Sequence, residues 1–285
     1  MVTIFDSPDF IYAGNSKANN KSNKLFFFIK GAFVGLFFDK LQGRKFTNFI
    51  NILFKDNIKF KNNLYSKELK NNHIIYYPNK RITRVLGNEE KFFSDLYETY
   101  MLNLINFNDG DKVVDIGANV GEINFSLKFK KLDFEYIAFE PDPIIYNCLL
   151  KNIGSSQGLH NVALSDKNSE DKFFIDSAGA DSSLIDFGNN EFIKVTINKL
   201  DDYKIKNIKL LKIEAEGAEP EVLSGAIATL KNTEYISVDY GNERGKDGLS
   251  TVVEVVNILI SNNFEFIGDS NLRKVGLFRN RSFQI

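Results

Sequence analysis

The stretch VVDIGANVGEINF, residues 113–125, decides the fold. Two β-branched residues lead into an acid, Asp115, and a turn bracketed by Gly117 and Gly121 then opens a helical segment. Glycine at those two points lets the chain turn sharply and lets a ligand approach the bare backbone. The spacing is G-x-x-x-G, not the G-x-G-x-x-G of pyrophosphate binders. A pyrophosphate at this helix N-terminus would meet two carboxylates, Asp115 and Glu122. A ligand carrying positive charge would be drawn to both.

Working outward, FEYIAFE at 134–140 reads as the second strand, ending in Glu140 and Pro141, and Pro143 starts the next helix with its fixed φ. An acid at that strand end offers acceptors in pairs, suited to the two hydroxyls of a ribose. Further strands are expected within 158–165 and at 208–214, 235–239, 264–267 and 274–278, with extended segments near 172–175 and 192–197. Helices are expected at 92–106, 120–130, 143–152, 219–231 and 251–262. Strands alternating with helices imply βαβ units, hence an α/β fold with a mostly parallel sheet covered on both faces. Ligands in such sheets bind at the carboxyl ends of the strands, at the switch point.

Two more segments bring charge to that edge. After Leu210 and Leu211, the residues Lys212, Glu214 and Glu216 fall at alternate positions and so on one side of an extended chain. A strand at 235–239 ends in Asp239, and Glu243 and Arg244 follow in a loop flanked by Gly241 and Gly245. Arg244 can fork-bind a substrate or hold the loop through Glu243. His73 and His160 read as structural.

The first 90 residues carry no motif with chemistry and read as a helical extension or cap; residues 91–285 form the ligand-binding domain. Residues 1–23 are rich in Asn, Ser and Lys and read as poorly ordered. Two helices are expected over 25–56, with Phe46, Phe49, Ile50, Ile52 and Leu53 on one side of the second, and a short hairpin is expected from HIIYY and RITRVL around Pro78 and Asn79. The apolar run LFFFIKGAFVGLFF at 25–38 is shorter than a bilayer-spanning helix needs. It is read as packing on the protein or in a homo-oligomer, with peripheral membrane contact or a signal anchor as alternatives.

Composition sets limits on partners. With 36 basic against 37 acidic residues, the net charge of -1 argues against a nucleic-acid partner. The one cysteine, Cys148, excludes an intrachain disulfide and fits a cytoplasmic location. Two histidines and one cysteine speak against a zinc site of the usual ligands. A carboxylate-bound divalent ion stays open, but no metal ligand is predicted.

Taken together, DIGANVG (115–121), FEPDP (139–143), NVALS (161–165), DSSL (181–184) and LKIEAEGAE (211–219) occur in the order seen in FkbM-type methyltransferases, and the chain resembles that family over roughly residues 95–240. The resemblance implies a class I methyltransferase (Rossmann-like) fold, a mostly parallel seven-stranded sheet with helices on both faces, beside the α-rich N-terminal extension. It implies S-adenosylmethionine as cofactor, with O-methylation of a sugar, polysaccharide precursor or natural product, so that the partner is a small-molecule or glycan acceptor. By that resemblance Asp115, Gly117, Asn119 and Gly121 would hold the methionine part, Glu140 and the adjoining Pro141 the ribose, and Ala163 and Leu164 the adenine edge. Ser182 and Ser183 would lie near the cofactor. Where the family usually reads K-I-D-x-E-G, this chain has Glu214, one methylene longer than the commoner Asp.

An alcohol acceptor must lose its proton during methyl transfer, and a nearby base makes its oxygen competent. The candidates are Glu214, Glu216 and Asp239; they could instead hold a divalent ion that orients a diol. The alternatives are a nicotinamide-dependent oxidoreductase on a similar fold, a non-catalytic binding module, and a methyltransferase acting on nitrogen or RNA.

Overall fold

The computed structural model describes residues 37–38, 40–154, 157–176, 182–188 and 191–283. Most of the apolar run at 25–38 and all of residues 1–23 lie outside the described residues, so the readings made for them stay as expectations. The chain divides into two compact units, Met1–Ser94 and Asp95–Ile285.

In the first unit, α1 (Gly43–Phe54) buries Phe46 and Ile50, four residues apart, while Ile52 is exposed, contrary to its expected place on the apolar side. Strands β1 (Ile58–Lys61), β2 (Leu64–Glu68) and β3 (Ile74–Tyr77) form an antiparallel sheet in that order. Asn62 and Asn63, both at positive φ, make the tight turn between β1 and β2, as a two-residue hairpin requires. The expected hairpin across Pro78 does not form. β3 pairs with β2, and Lys80–Val85 is a 3-10 helix. The Asn79 side chain caps it by accepting the Arg81 N–H at 3.1 Å, and Ile82 and Val85, three residues apart, are both buried. Helix α2 (Glu89–Thr99) follows.

The second unit is built on a seven-stranded sheet. Its strands are β4 (Asp111–Ile116), β5 (Phe134–Phe139), β6 (Leu159–His160), β10 (Ile208–Ile213), β11 (Thr233–Asp239), β14 (Phe264–Asp269) and β15 (Val275–Asn280). The order is β14-β15-β11-β10-β4-β5-β6; β15 runs antiparallel to β11 and to β14, and the other pairs are parallel. The mostly parallel α/β sheet read from the sequence is therefore present.

Period-two alternation sorts the side chains between two cores. Val113, Leu210, Tyr136 and Ala138 pack with Ile123 and Leu127 of α3 (Glu122–Phe129) and Leu149 of α4 (Pro143–Ile153). Their neighbours Val114, Leu211, Ile137 and Phe139 pack on the other face with Val222 and Leu223 of α5 (Glu219–Ser224), Leu230 of α6 (Ile227–Leu230) and Leu259 of α7 (Val252–Ser261). Each such buried aliphatic contributes about 1.5–3 kcal/mol. Cys148 of α4 is wholly buried, and burial pushes its thiol up to about 12.

After β6 the chain leaves this sheet. β7 (Ala163–Leu164), β8 (Ser169–Phe174) and β9 (Phe192–Asn198) form a separate three-stranded sheet with its own small core of Ala163, Phe173, Val195 and Ile197. β12 (Asn242–Arg244) and β13 (Leu249–Ser250) make a short hairpin after β11. Connections leave β4 towards β5 on one side and β10 towards β11 on the other, so the switch point lies between β4 and β10. Among the described residues no helix is long and apolar enough to cross a membrane.

Candidate active site

The turn after β4 is clipped to the end of β5. Gly117 and Ala118 both donate their N–H to the Phe139 carbonyl, at 3.0 and 3.1 Å. Gly117 (φ +69) lies so close to β10 that a Cβ would stand 1.9 Å from the Glu214 carbonyl oxygen. Gly121 (φ +89) faces side chains instead, with Leu149 and Ile153 of α4 nearest. Asn119 also takes positive φ, and its N–H donates to Glu140 Oε2 at 2.9 Å. The other Glu140 oxygen accepts the Asp142 N–H at 2.9 Å. One buried carboxylate thus joins the turn to the second strand end and keeps a lone pair on each oxygen for further donors. Burial pushes Glu140 up to about 8. Pro141 is held beside it, because the Asn161 side-chain amide donates to the carbonyls of Glu140 and Pro141 at 2.8 and 2.9 Å.

Asp115 does not lie open to the turn. Parallel register sets it beside Lys212, whose ammonium is 3.0 Å from Asp115 Oδ1, and Tyr136 donates its hydroxyl to Oδ2 at 2.5 Å. Its charge is answered inside the protein, which corrects the reading of Asp115 as a carboxylate facing the ligand. The same ammonium donates to the carbonyls of Ile116 and Gly117 at 3.1 and 2.9 Å, and it pairs with Glu214 at 3.1 Å. Burial works against the charge on Lys212, but Asp115 and Glu214 outweigh it and hold the ammonium protonated.

From Glu214 the charges continue across the sheet edge. Arg273, in the turn between β14 and β15, places Nη1 2.7 Å from Glu214, Nε 2.5 Å from Asp239 and Nη2 3.0 Å from Glu243. Tyr100 donates its hydroxyl to Glu214 and accepts the Ser237 hydroxyl on its carbonyl at 2.8 Å. Burial would raise Glu214, yet Lys212, Arg273 and Tyr100 hold it well below the usual carboxylate range. Asp239 takes the Gly241 N–H at 2.8 Å, and burial outweighs Arg273 and pushes it up to about 7. Glu216 is buried, adopts positive φ and has its carboxyl close to that of Glu243. The loop that carries Glu216 is set by Glu219, which accepts the N–H groups of Ala215 and Gly217 at 3.0 and 3.1 Å and the Thr251 hydroxyl at 3.0 Å.

Glu214, Glu216 and Asp239 are therefore brought together, with Arg273 and Tyr100 as members that local pattern did not reveal. Arg244 forks onto Glu221 at 2.6 and 2.9 Å, so it holds the loop through Glu221 and not through Glu243. Ser183 is buried and donates to the Glu216 carbonyl at 2.7 Å, which ties the 182–188 segment to this loop. Ser182 accepts the Asp176 N–H at 2.9 Å, remaining in its own segment. Ala163 and Leu164 are buried in β7. His160 stacks on Phe139, with ring centroids 4.8 Å apart, in keeping with a structural role. Among the described residues no group of three or more His, Cys, Asp and Glu side chains is arranged to hold a metal ion.

The residues fit the cofactor that the motifs imply. The Gly117 approach leaves bare backbone at the switch point, and Glu140 offers paired acceptors at the neighbouring strand end. The two cations at this edge, Lys212 and Arg273, are both engaged by carboxylates, and neither is left to meet an anionic ligand. That balance suits a sulfonium and an ammonium and opposes a pyrophosphate.

Comparison with known proteins agrees. The family described as Methyltransferase FkbM domain matches residues 115–266, more than half of the chain. Methyltransferase sdnD of Sordaria araneosa is 22% identical, with 47% of this chain and 67% of that protein covered. The 2-O-methyltransferase NoeI of Sinorhizobium fredii is 25% identical, with 54% of this chain and 72% of that protein covered. A solved FkbM methyltransferase from Methylobacillus flagellatus superposes with a TM-score of 0.45 at 18% identity, over 67% of this chain but only 50% of its own. The Gly-rich turn, Glu140, Glu214, Glu216 and Asp239 all lie within the matched segment, and the chain belongs to the FkbM family of S-adenosylmethionine-dependent methyltransferases.

Proposed function

We propose that the protein transfers a methyl group to a hydroxyl oxygen of a sugar, a polysaccharide precursor or a natural product. The observation that carries this reading is the carboxylate cluster of Glu214, Glu216, Asp239 and Glu243 beside the switch point, since an alcohol, unlike a neutral amine, must lose its proton as it is methylated. The relative named as a 2-O-methyltransferase points the same way. Incubating the protein with methyl-labelled S-adenosylmethionine, surface-glycan precursors and a metabolite extract is expected to give a labelled methyl ether. Label found only on nitrogen or carbon would overturn the reading.

When bound, S-adenosylmethionine supplies an activated methyl group; the chain supplies alignment and exclusion of water. In this reading the backbone of Gly117, Asn119 and Gly121 receives the methionine part, with Asp115 and Lys212 fixing the turn from beneath. Glu140, with Pro141 beside it, takes the ribose hydroxyls on its remaining lone pairs. Ala163 and Leu164 border the adenine, and Ser182 and Ser183 hold the loop that faces it.

Above about pH 8, where Glu140 is ionised, Glu140→Gln is expected to weaken S-adenosylhomocysteine binding about tenfold or more, since hydrogen bonds to a charged group are worth about 1.5–3 kcal/mol. Calorimetric titration checks it, and an unchanged Kd would remove Glu140 from the site. The same residue sets a pH dependence. Its pKa in the folded protein, about 8, lies above its ordinary value of 4.5. The stability it contributes is fully present below that ordinary value and is lost as pH rises through about 8. Between pH 6 and 9 the wild-type melting temperature should therefore fall relative to that of Glu140→Gln; parallel curves would contradict this.

A further inference from the structure

A group that takes the acceptor's proton has to touch the acceptor, and the carboxylates of the cluster differ in that respect. The Asp239 side chain is 0% exposed, and Glu216 is buried. Glu214 is reachable at 19%, but Lys212, Arg273 and Tyr100 hold it ionised, which makes it a weak base. The Glu243 side chain is 29% exposed, the most open carboxylate of the group.

Its placement is defined. Arg273 holds Glu243 Oε1 through Nη2 at 3.0 Å and Glu214 through Nη1 at 2.7 Å, so one guanidinium links Glu243 to the residue lying against Gly117. Gly241 makes room between two carboxylates, since a Cβ there would stand 3.1 Å from Asp239 Oδ1 and 3.3 Å from Glu243 Oε1. The charged groups acting on Glu243 are Arg273, Glu214, Glu216 and Glu219; burial leads, and the balance raises Glu243 above the ordinary glutamate value.

We propose that Glu243 is the catalytic base for methyl transfer to a hydroxyl, with Arg273 as its positioning residue. The inference rests on the O-methylation reading. In the step, a lone pair of the acceptor oxygen forms the new C–O bond as the methyl carbon's bond to sulfur breaks, with its electron pair going to sulfur. The hydroxyl proton passes to the Glu243 carboxylate and leaves to solvent from its exposed edge. The positive charge lost from sulfur is balanced by the proton released.

The test compares wild type, Glu243→Gln and Glu243→Asp, each with methyl-labelled S-adenosylmethionine and the glycan-precursor and metabolite mixture named above. For Glu243→Gln, the S-adenosylhomocysteine Kd should stay within about twofold, while transfer slows about 10²–10⁴-fold, the usual contribution of a general base. Its residual rate should climb with pH without a plateau, and Glu243→Asp should recover part of the loss. Independently of turnover, carboxyl-¹³C NMR of glutamate-labelled protein should show a resonance missing from Glu243→Gln that titrates above the ordinary glutamate range. A wild-type transfer rate in Glu243→Gln, parallel loss of folding or cofactor binding, or titration at or below the ordinary range would overturn the proposal. A hydroxyl product with Glu243→Gln unaffected sinks this inference alone. A wild type that methylates no hydroxyl sinks the O-methylation reading and this inference together.

Discussion

Lys212→Met is expected to lower the melting temperature by about 6–20 °C, because it takes the cation from buried Asp115 and one of the two that hold Glu214. Lys212 is 2% exposed, Asp115 0% and Glu214 19%, so little water can replace the ammonium. Removing one partner of a buried ion pair costs about 3–5 kcal/mol, and a unit of this size loses about 2–4 °C per kcal/mol. Against a total stability of about 5–15 kcal/mol that is a large share. The carbonyls of Ile116 and Gly117 lose their donor in the same change, so the turn should loosen as well. Adding Asp115→Asn should recover part of the loss, since it removes the carboxylate left bare. Thermal unfolding of the three variants checks the account; a Lys212→Met protein melting within about 2 °C of wild type would refute it.

The second large effect is at Gly117. Alanine there places its Cβ 1.9 Å from the Glu214 carbonyl oxygen, a backbone atom of the neighbouring strand that no rotamer change can move. Positive φ costs alanine about 1–2 kcal/mol, and forcing the strands apart adds about 1–3 kcal/mol. Two other glycines separate these contributions. Gly154 also has positive φ but nothing within 4 Å, so Gly154→Ala shows the conformational cost alone. Gly121→Ala meets the ends of Leu149 and Ile153 side chains at 3.0 and 3.2 Å, which can give way. Stability should therefore fall in the order Gly154→Ala, Gly121→Ala, Gly117→Ala, and S-adenosylhomocysteine binding should be lost most severely in the last. Equal losses in denaturant unfolding would show that the approach to Glu214 is not the cause.

The sheet and its helices were legible because their cores obey simple periods. Val113 with Val114, and Leu210 with Leu211, alternate between faces, and Pro143 and Gly154 mark the start and end of α4. The candidate cluster was legible only where a local pattern carried it: the glycines of the turn, Glu140, Glu214, Glu216 and Asp239. Asp115 was seen but misread, since its partner Lys212 is fixed by the register between β4 and β10, which no single segment encodes. Arg273 was missed for the same reason. It reaches Asp239 because β15 turns back antiparallel beside β11 and sets Val275 opposite Asp239. Tyr100 sits at the end of α2, ahead of a positive φ at Met101, where helical spacing gives no hint of a partner in β10. In the first unit, Asn62-Asn63 was the available hairpin signal, and the Pro78 segment drew attention from it.

Cys148 has a practical consequence for spectroscopy. The protein's one native thiol is wholly enclosed and stays protonated at neutral pH, so it is a poor target for maleimides and other alkylating reagents. A cysteine engineered at an open position is then the preferred attachment point, with no need for a cysteine-free background. Leu272 is 63% exposed and adjoins Arg273, so a fluorophore or spin label on Leu272→Cys would sit beside the guanidinium that gathers the carboxylates. The arrival of cofactor or acceptor could then be followed in real time, before the acceptor has been chemically identified.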